Sequence, residues 1–187
     1  FNTDLLSISK KEIQKIRGNE ISMIFQEPMS SLNPRMKVGI QVSEVIELHK
    51  KLTKQQARKE TITLFQKVEL PDPSGMYDRY PHQLSGGQKQ RVMIAMAIAC
   101  NPGLLIADEP TTALDVRVQK SILDLLKKQQ QESGMSILLI THDLGIVTDY
   151  ADEVLVMHAG KIVESGTTEN ILKAPQHAYT KGLLEAR

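Results

Sequence analysis

Leu104-Leu105-Ile106-Ala107-Asp108-Glu109-Pro110 is an apolar run that ends abruptly in two carboxylates and a proline. Bounded by a turn at Asn101-Pro102-Gly103, it predicts a strand covered on both faces. Downstream, the apolar residues of Val116–Ser133 recur at helical spacing. After Gly134 a second run, Ser136-Ile137-Leu138-Leu139-Ile140, reads as another buried strand and ends in Thr141-His142-Asp143. Strand, polar end, helix, strand, polar end is the rhythm of a parallel α/β sheet, whose ligands collect at the carboxyl ends of the strands. Both polar ends are therefore expected at one site.

The residues at those ends suggest chemistry. A carboxylate closing a buried strand suits Mg²⁺, which takes hard oxygen ligands and keeps part of its hydration shell, so Asp108 is the candidate metal ligand. Glu109, one residue on, would point toward an attacking water and serve as general base. His142 would donate a hydrogen bond to charge developing in the transition state. Gln26 follows an apolar strand over residues 21–25 and is a further candidate there, holding a metal-bound or attacking water through its amide. Each has a plainer reading: acidic turn residues after a strand, a turn histidine, and a glutamine of no consequence. Asp115, just before the long helix, suits an N-cap.

Upstream, Leu84-Ser85-Gly86-Gly87-Gln88 opens the run Val92-Met93-Ile94-Ala95-Met96-Ala97-Ile98-Ala99-Cys100, apolar on nearly every side and so a buried helix. The N-terminus of such a helix can hold an anion. Unpaired N–H groups and the positive end of the dipole face outward, the glycines allow close approach, and Ser85 adds a hydroxyl. Taken alone, the motif has the plainer reading of a Ser-Gly turn capping a core helix.

Before this, Ser9-x-x-Glu12 is a capping box predicting a helix over Lys10–Ile16, stopped by Gly18. Residues 38–49 and 53–68 carry helical periodicity, the second opened by Thr53-x-x-Gln56, and with the helix after Gly87 they are expected to pack as a small helical lobe. Pro71-Asp72-Pro73-Ser74-Gly75 breaks the pattern. Residues 153–158 and 161–166, joined at Ala159-Gly160, read as a hairpin. A capped helix over Thr168–Lys173, a break at Pro175 and a last helical stretch complete the chain.

Composition narrows the classes. The 187 residues suit one sizeable core, and 23 basic against 22 acidic residues, net +1, lack the basic footprint of a nucleic-acid binder. The single Cys100 can form no intrachain disulfide and suits a packing role in a reducing compartment. The absence of a spanning apolar run and of a signal-like start leads to the expectation of a soluble, cytoplasmic chain. The start at Phe1, within what reads as a strand and turn, suggests an internal piece of a longer polypeptide.

Taken in order, Gln26, Leu84 to Gln88, Leu104 to Glu109, Ala113-Leu114-Asp115 and His142 resemble the Q-loop, signature motif, Walker B strand, D-loop and switch histidine of the ATP-binding-cassette (ABC) ATPases. Phe25-Gln26-Glu27-Pro28-Met29-Ser30-Ser31-Leu32-Asn33-Pro34, Tyr80-Pro81-His82-Gln83 and Pro175-Gln176-His177-Ala178-Tyr179-Thr180 are similar to the ATP-binding subunits of oligopeptide, dipeptide and nickel importers. In that subfamily the last motif usually reads His-Pro-Tyr-Thr, so Ala178 replaces a proline.

The resemblance implies a P-loop NTPase-like α/β nucleotide-binding domain, with a mainly parallel sheet and an inserted helical subdomain at about 38–100. A catalytic core would follow over 101–166 and the start of a C-terminal extension over 167–187. It implies ATP and Mg²⁺ as ligands. Asp108, Glu109, His142 and Gln26 would serve the chain's own nucleotide, with Asp108 and Gln26 toward the metal. Ser85, Gly86, Gly87 and Gln88 would face a nucleotide held mainly by an opposing cassette, identical or paralogous, with Asp115 at the interface. Further partners would be transmembrane permease subunits, and indirectly a solute-binding protein, at the cytoplasmic face of the membrane, with no nucleic acid.

One family element is absent: these residues contain no Gly-Lys-Ser or Gly-Lys-Thr phosphate loop, so the 187 residues alone are expected to be inactive toward ATP. Relatives usually continue past the last motif, so truncation at both ends is expected. The other readings are a soluble ABC ATPase acting on DNA or ribosomes, and a non-catalytic degenerate subunit. The balanced charge and importer-like motifs weigh against the first, and the presence of Glu109 and His142 against the second.

Overall fold

The computed structural model describes residues 4–26, 31–112 and 114–185. It divides into two compact units, Phe1–Ile140 and Thr141–Arg187.

The first unit opens with helix α1 (Lys10–Ile16), begun by the predicted box: Ser9 Oγ accepts from Glu12 N–H while the Glu12 carboxylate accepts from Ser9 N–H. Strand β1 (Ile21–Ile24) follows. Helices α2 (Val38–Lys50) and α3 (Lys54–Lys67) form the predicted pair, α3 starting on the Thr53/Gln56 box. A short α4 (Pro73–Met76) occupies what reads in the sequence as a simple break; Asp72 caps it from a left-handed backbone, φ +45°. A 3₁₀ turn at Pro81–Gln83 leads into α5 (Gly86–Ile98), then come β2 (Leu104–Asp108), α6 (Val116–Ser133) and β3 (Ser136–Ile140).

The strands form one parallel sheet in the order β1-β2-β3, with Ile21 opposite Leu104 and Leu104 opposite Ser136. This register lines up the carboxyl ends of the three strands. Helices α2, α3 and α5 pack on one another as the expected lobe. Its core runs without interruption into that of the sheet, from Phe65, Val42 and Ile94 to Ile24 and Leu105, all fully buried. Burial of each such side chain stabilises by roughly 1.5–3 kcal/mol, which makes lobe and sheet one folded body.

Two expectations need correction. β3 is not covered on both faces: Leu138 and Ile140 are 45% and 43% exposed. Among the described residues it pairs with β2 alone, and an apolar run by itself does not distinguish a central strand from an edge strand. Cys100 is not inside the helix but just past the Ala99 C-cap of α5, half-buried, and burial pushes its thiol pKa up.

In the second unit Asp143 caps helix α7 (Leu144–Tyr150), an element without a distinct sequence signal. Strands β4 (Glu153–His158) and β5 (Lys161–Thr167) form the predicted antiparallel hairpin. Both turn residues have positive φ, Ala159 at +48° and Gly160 at +76°, as a two-residue turn of the favoured hand requires. Helix α8 (Thr168–Lys173), capped by Thr167, and α9 (Ala178–Glu185) close the unit. Among the described residues no helix is long and apolar enough to cross a membrane.

Candidate active site

The parallel sheet brings the end of β1 beside the end of β2, and with it Gln26 to Glu109. Gln26 Nε2 donates to Glu109 Oε2 at 2.8 Å, and Thr112 Oγ1 donates to the same oxygen at 2.8 Å. Two donors on one carboxylate oxygen fix its orientation. The backbone of Glu109 is held as firmly: its N–H donates to Ile140 C=O on β3 at 3.0 Å, and Thr112 N–H donates to its carbonyl at 3.1 Å. Glu109 takes φ +44°, a left-handed conformation that costs a residue with a Cβ on the order of 1–2 kcal/mol. Sheet and turn together hold it there, and strain of this kind gathers at functional sites.

Asp108 is the last residue of β2 and presents a hard oxygen ligand at the strand's carboxyl end. Among the described residues no three His, Cys, Asp or Glu side chains cluster as a metal site. The Asp108 carboxylate at a strand end is a hard oxygen donor of the kind Mg²⁺ takes alongside water and phosphate. Thr112 was not singled out from the sequence; its place three residues after Glu109, within the turn, is the signal that would have found it.

The second set of residues surrounds the start of α5. Ser85 and Gln88 form a reciprocal capping box, Ser85 Oγ accepting from Gln88 N–H at 3.3 Å and Gln88 Oε1 accepting from Ser85 N–H at 3.0 Å. The capping reading of this motif is thus realised, and the Gln88 side chain is folded back onto the cap. The glycines have a packing reason as well. A Cβ on Gly87 would lie 2.9 Å from Val118 Cγ1 and one on Gly86 3.4 Å from Leu114 Cδ2, so the signature backbone lies directly against the start of α6. Asp115 caps α6, accepting from the N–H groups of Arg117 and Val118.

Arg91 strengthens the same junction. Its guanidinium donates to Val68 C=O at the end of α3, to Glu69 and to Ser121 Oγ on α6, at 2.6, 3.2 and 2.7 Å. His142 belongs to the second unit, between Thr141 and the α7 cap Asp143. Glu27, Pro28, Met29 and Ser30 of the Gln26 motif, and Ala113 of the Asp115 motif, lie outside the described residues.

A parallel sheet ending in Asp108 and Glu109, a helical lobe, and a glycine-bearing helix start packed on the Asp115 helix have the α/β architecture of an ABC cassette. Residues 2–112 match the ABC transporter family. The chain belongs to that family. It is 54% identical over 98% of its length to the dipeptide transport ATP-binding protein DppD of Bacillus subtilis, covering 55% of that protein. It is 55% identical over 97% of its length to the oligopeptide transport ATP-binding protein OppD of the same organism, covering 51% of it. The chain thus spans about half the length of these relatives.

Solved structures agree on the fold. The ATP-binding cassette MJ0796, a dimer bound to ADP and Pi, superposes with a TM-score of 0.79 at 29% identity, over 89% of this chain and 71% of that one. CbiO1 of Clostridium perfringens gives 0.78 at 32% identity, over 93% and 67%.

Proposed function

We propose that the chain is part of the ATP-hydrolysing subunit that energises an importer of peptides, dipeptide or oligopeptide, or of nickel. The observation that carries this reading is the contact of Gln26 with Glu109 at the sheet end, in a chain more than half identical to dipeptide and oligopeptide transport ATP-binding proteins. Relatives of this kind and the absence of a basic surface bias give the soluble, nucleic-acid-directed reading no support.

In this reading Glu109 is the general base that takes a proton from the attacking water, and Gln26 orients that water and the base. Asp108 and Gln26 would hold Mg²⁺, which would supply charge neutralisation for the phosphates of ATP. His142 steadies charge on the transferred phosphoryl group. Ser85, Gly86, Gly87 and Gln88 present the N-terminus of α5 to ATP on an opposing cassette, identical or paralogous, and Asp115 stands at that interface. Residues 38–100 are the helical subdomain, 101–166 the catalytic core and 167–187 the start of a C-terminal extension. The subdomain meets transmembrane permease subunits at the cytoplasmic face, and a solute-binding protein delivers the cargo.

Uptake of labelled dipeptide, a longer peptide and nickel ion by cells lacking the gene, complemented with wild type or Glu109→Gln, tests the proposal. Loss of one substrate, restored by wild type and not by the variant, is the expected result. Undiminished uptake of all three would overturn it.

A further inference from the structure

The stretch Leu32-Asn33-Pro34-Arg35-Met36 has no part in the chemistry above, yet it is built with care. Leu32 is 2% exposed and sits in the core. Asn33 Oδ1 accepts from Arg35 N–H at 3.0 Å, closing a local turn, and Pro34 has no N–H to offer. One side chain from the first turns of α2 binds the backbone on both sides of this turn. Gln41 Oε1 accepts from Asn33 N–H at 2.9 Å, while Gln41 Nε2 donates to the carbonyls of Asn33 and Met36, each at 3.0 Å. Gln41 is 7% exposed, so water replaces these bonds poorly once they are lost. A buried amide where an aliphatic residue would pack more cheaply indicates that the position of residues 33–36 matters.

The start of α2 is also tied in the opposite direction. Val38 N–H donates to Arg79 C=O at 2.8 Å and Gly39 N–H to Tyr77 C=O at 3.1 Å. The approach is so close that a Cβ on Gly39 would lie 2.3 Å from the Tyr77 ring. Lys37 Nζ meets Asp78 Oδ1 at 2.9 Å, and the Tyr77 hydroxyl bonds Ser43 at 3.0 Å. Residues 77–79 lead directly through the 3₁₀ turn into Ser85. The beginning of α2 therefore stands between residues 33–36 and the segment that ends at the α5 cap.

We propose that Gln41 is a positioning residue that makes the first turns of α2 a mechanical junction, passing displacements of residues 33–36 on to residues 77–85. The transport consequence rests on the reading of the chain as the energising part of an importer. In that reading the junction links residues 33–36, in the lobe that meets the membrane partners, to the helix start that bears Ser85.

Two variants test it in the full-length subunit: Gln41→Met, which keeps the volume and removes all three bonds, and Gln41→Asn, which keeps the amide on an arm one methylene too short. Amide exchange on the subunit alone is expected to speed up by about tenfold at residues 77–85 as well as at 33–36, with the β1-β2-β3 sheet unchanged. In vesicles containing the complete transporter, labelled dipeptide moved per ATP hydrolysed is expected to fall about fivefold, with the KM for ATP held within about twofold.

Faster exchange confined to 33–36 in both variants, or a wild-type transport ratio in both, overturns the junction. If Gln41→Met does not fold, Gln41→Asn decides. A wild-type complex that hydrolyses ATP and moves neither peptide nor nickel would sink the importer reading, and the exchange result would still decide the junction.

Discussion

Gln26 and Glu109 are 83 positions apart in the sequence, and their side chains meet at 2.8 Å, the Gln26 amide donating to the Glu109 carboxylate. If this contact aims the base, the two residues act as a unit. In the full-length subunit Glu109→Gln is expected to slow single-turnover ATP hydrolysis by about a hundredfold or more. Gln26→Ala is expected to slow it by about tenfold, with nucleotide affinity nearly unchanged in both. The double variant should be no slower than Glu109→Gln alone; multiplied effects would show that the contact plays no part.

The packing of Gly87 on Val118 makes a stability prediction independent of ATP. Gly87→Ala places a methyl group 2.9 Å from Val118 Cγ1 and is expected to cost about 1–2 kcal/mol in denaturant unfolding, despite the better helix propensity of alanine. Adding Val118→Ala should return most of that loss. A double variant showing the plain sum of two losses would mean that the helices are not in this contact.

Helix α9 offers the opposite case. Ala178 is its first residue, where proline's fixed φ is already helical and its missing N–H is not needed, so Ala178→Pro should stabilise by about 0.4–1 kcal/mol. Within the same helix nothing lies within 4 Å of a Cβ at Gly182. Gly182→Ala is accordingly expected to add about 0.5–1 kcal/mol. Protection of the α9 amides against exchange measures both, and unchanged or lower protection contradicts the prediction.

Glu164 ties the start of that helix to β5, accepting from Gln176 N–H at 2.7 Å and His177 N–H at 3.1 Å. The Gln176 N–H contributes most to holding its carboxyl below the ordinary 4.5, with the nearby Thr180 and His177 acting in the same direction. A depressed carboxylate contributes its full stabilisation above the unfolded value, and loses it as pH falls through the folded one. Protection of α9 should therefore be flat from neutral pH down to about 5 and decline below about 4.5, and Glu164→Gln should flatten that decline. A decline centred near pH 6 would point to a histidine instead.

Much of this was legible in the sequence because it is local. The capping boxes at Ser9/Glu12 and Thr53/Gln56 need only a spacing of three residues, and both formed; the reciprocal box of Ser85 with Gln88 was not read as one. The hairpin at Ala159-Gly160 and the bounds of α6 followed from turn chemistry and a period of 3.6. The candidate residues were found by their places at strand ends and by order along the chain. What was missed depended on contacts without a short-range signature: α4 begun from a left-handed Asp72, the exposure of β3, and Thr112 beside Glu109.

The sequence by itself determined most of the elements, though not α4 or α7, together with the parallel α/β character and the identity of the residues at each strand end, since periodicity, caps and turns act over a few neighbours. Tertiary structure alone decided that Gln26 meets Glu109, that Gly87 lies against Val118 and that Gln41 grips residues 33–36. Each of these requires strands or helices distant in sequence to settle in one register. That register is set by burial of a shared core running from Phe65 to Leu105, which no short window of residues contains.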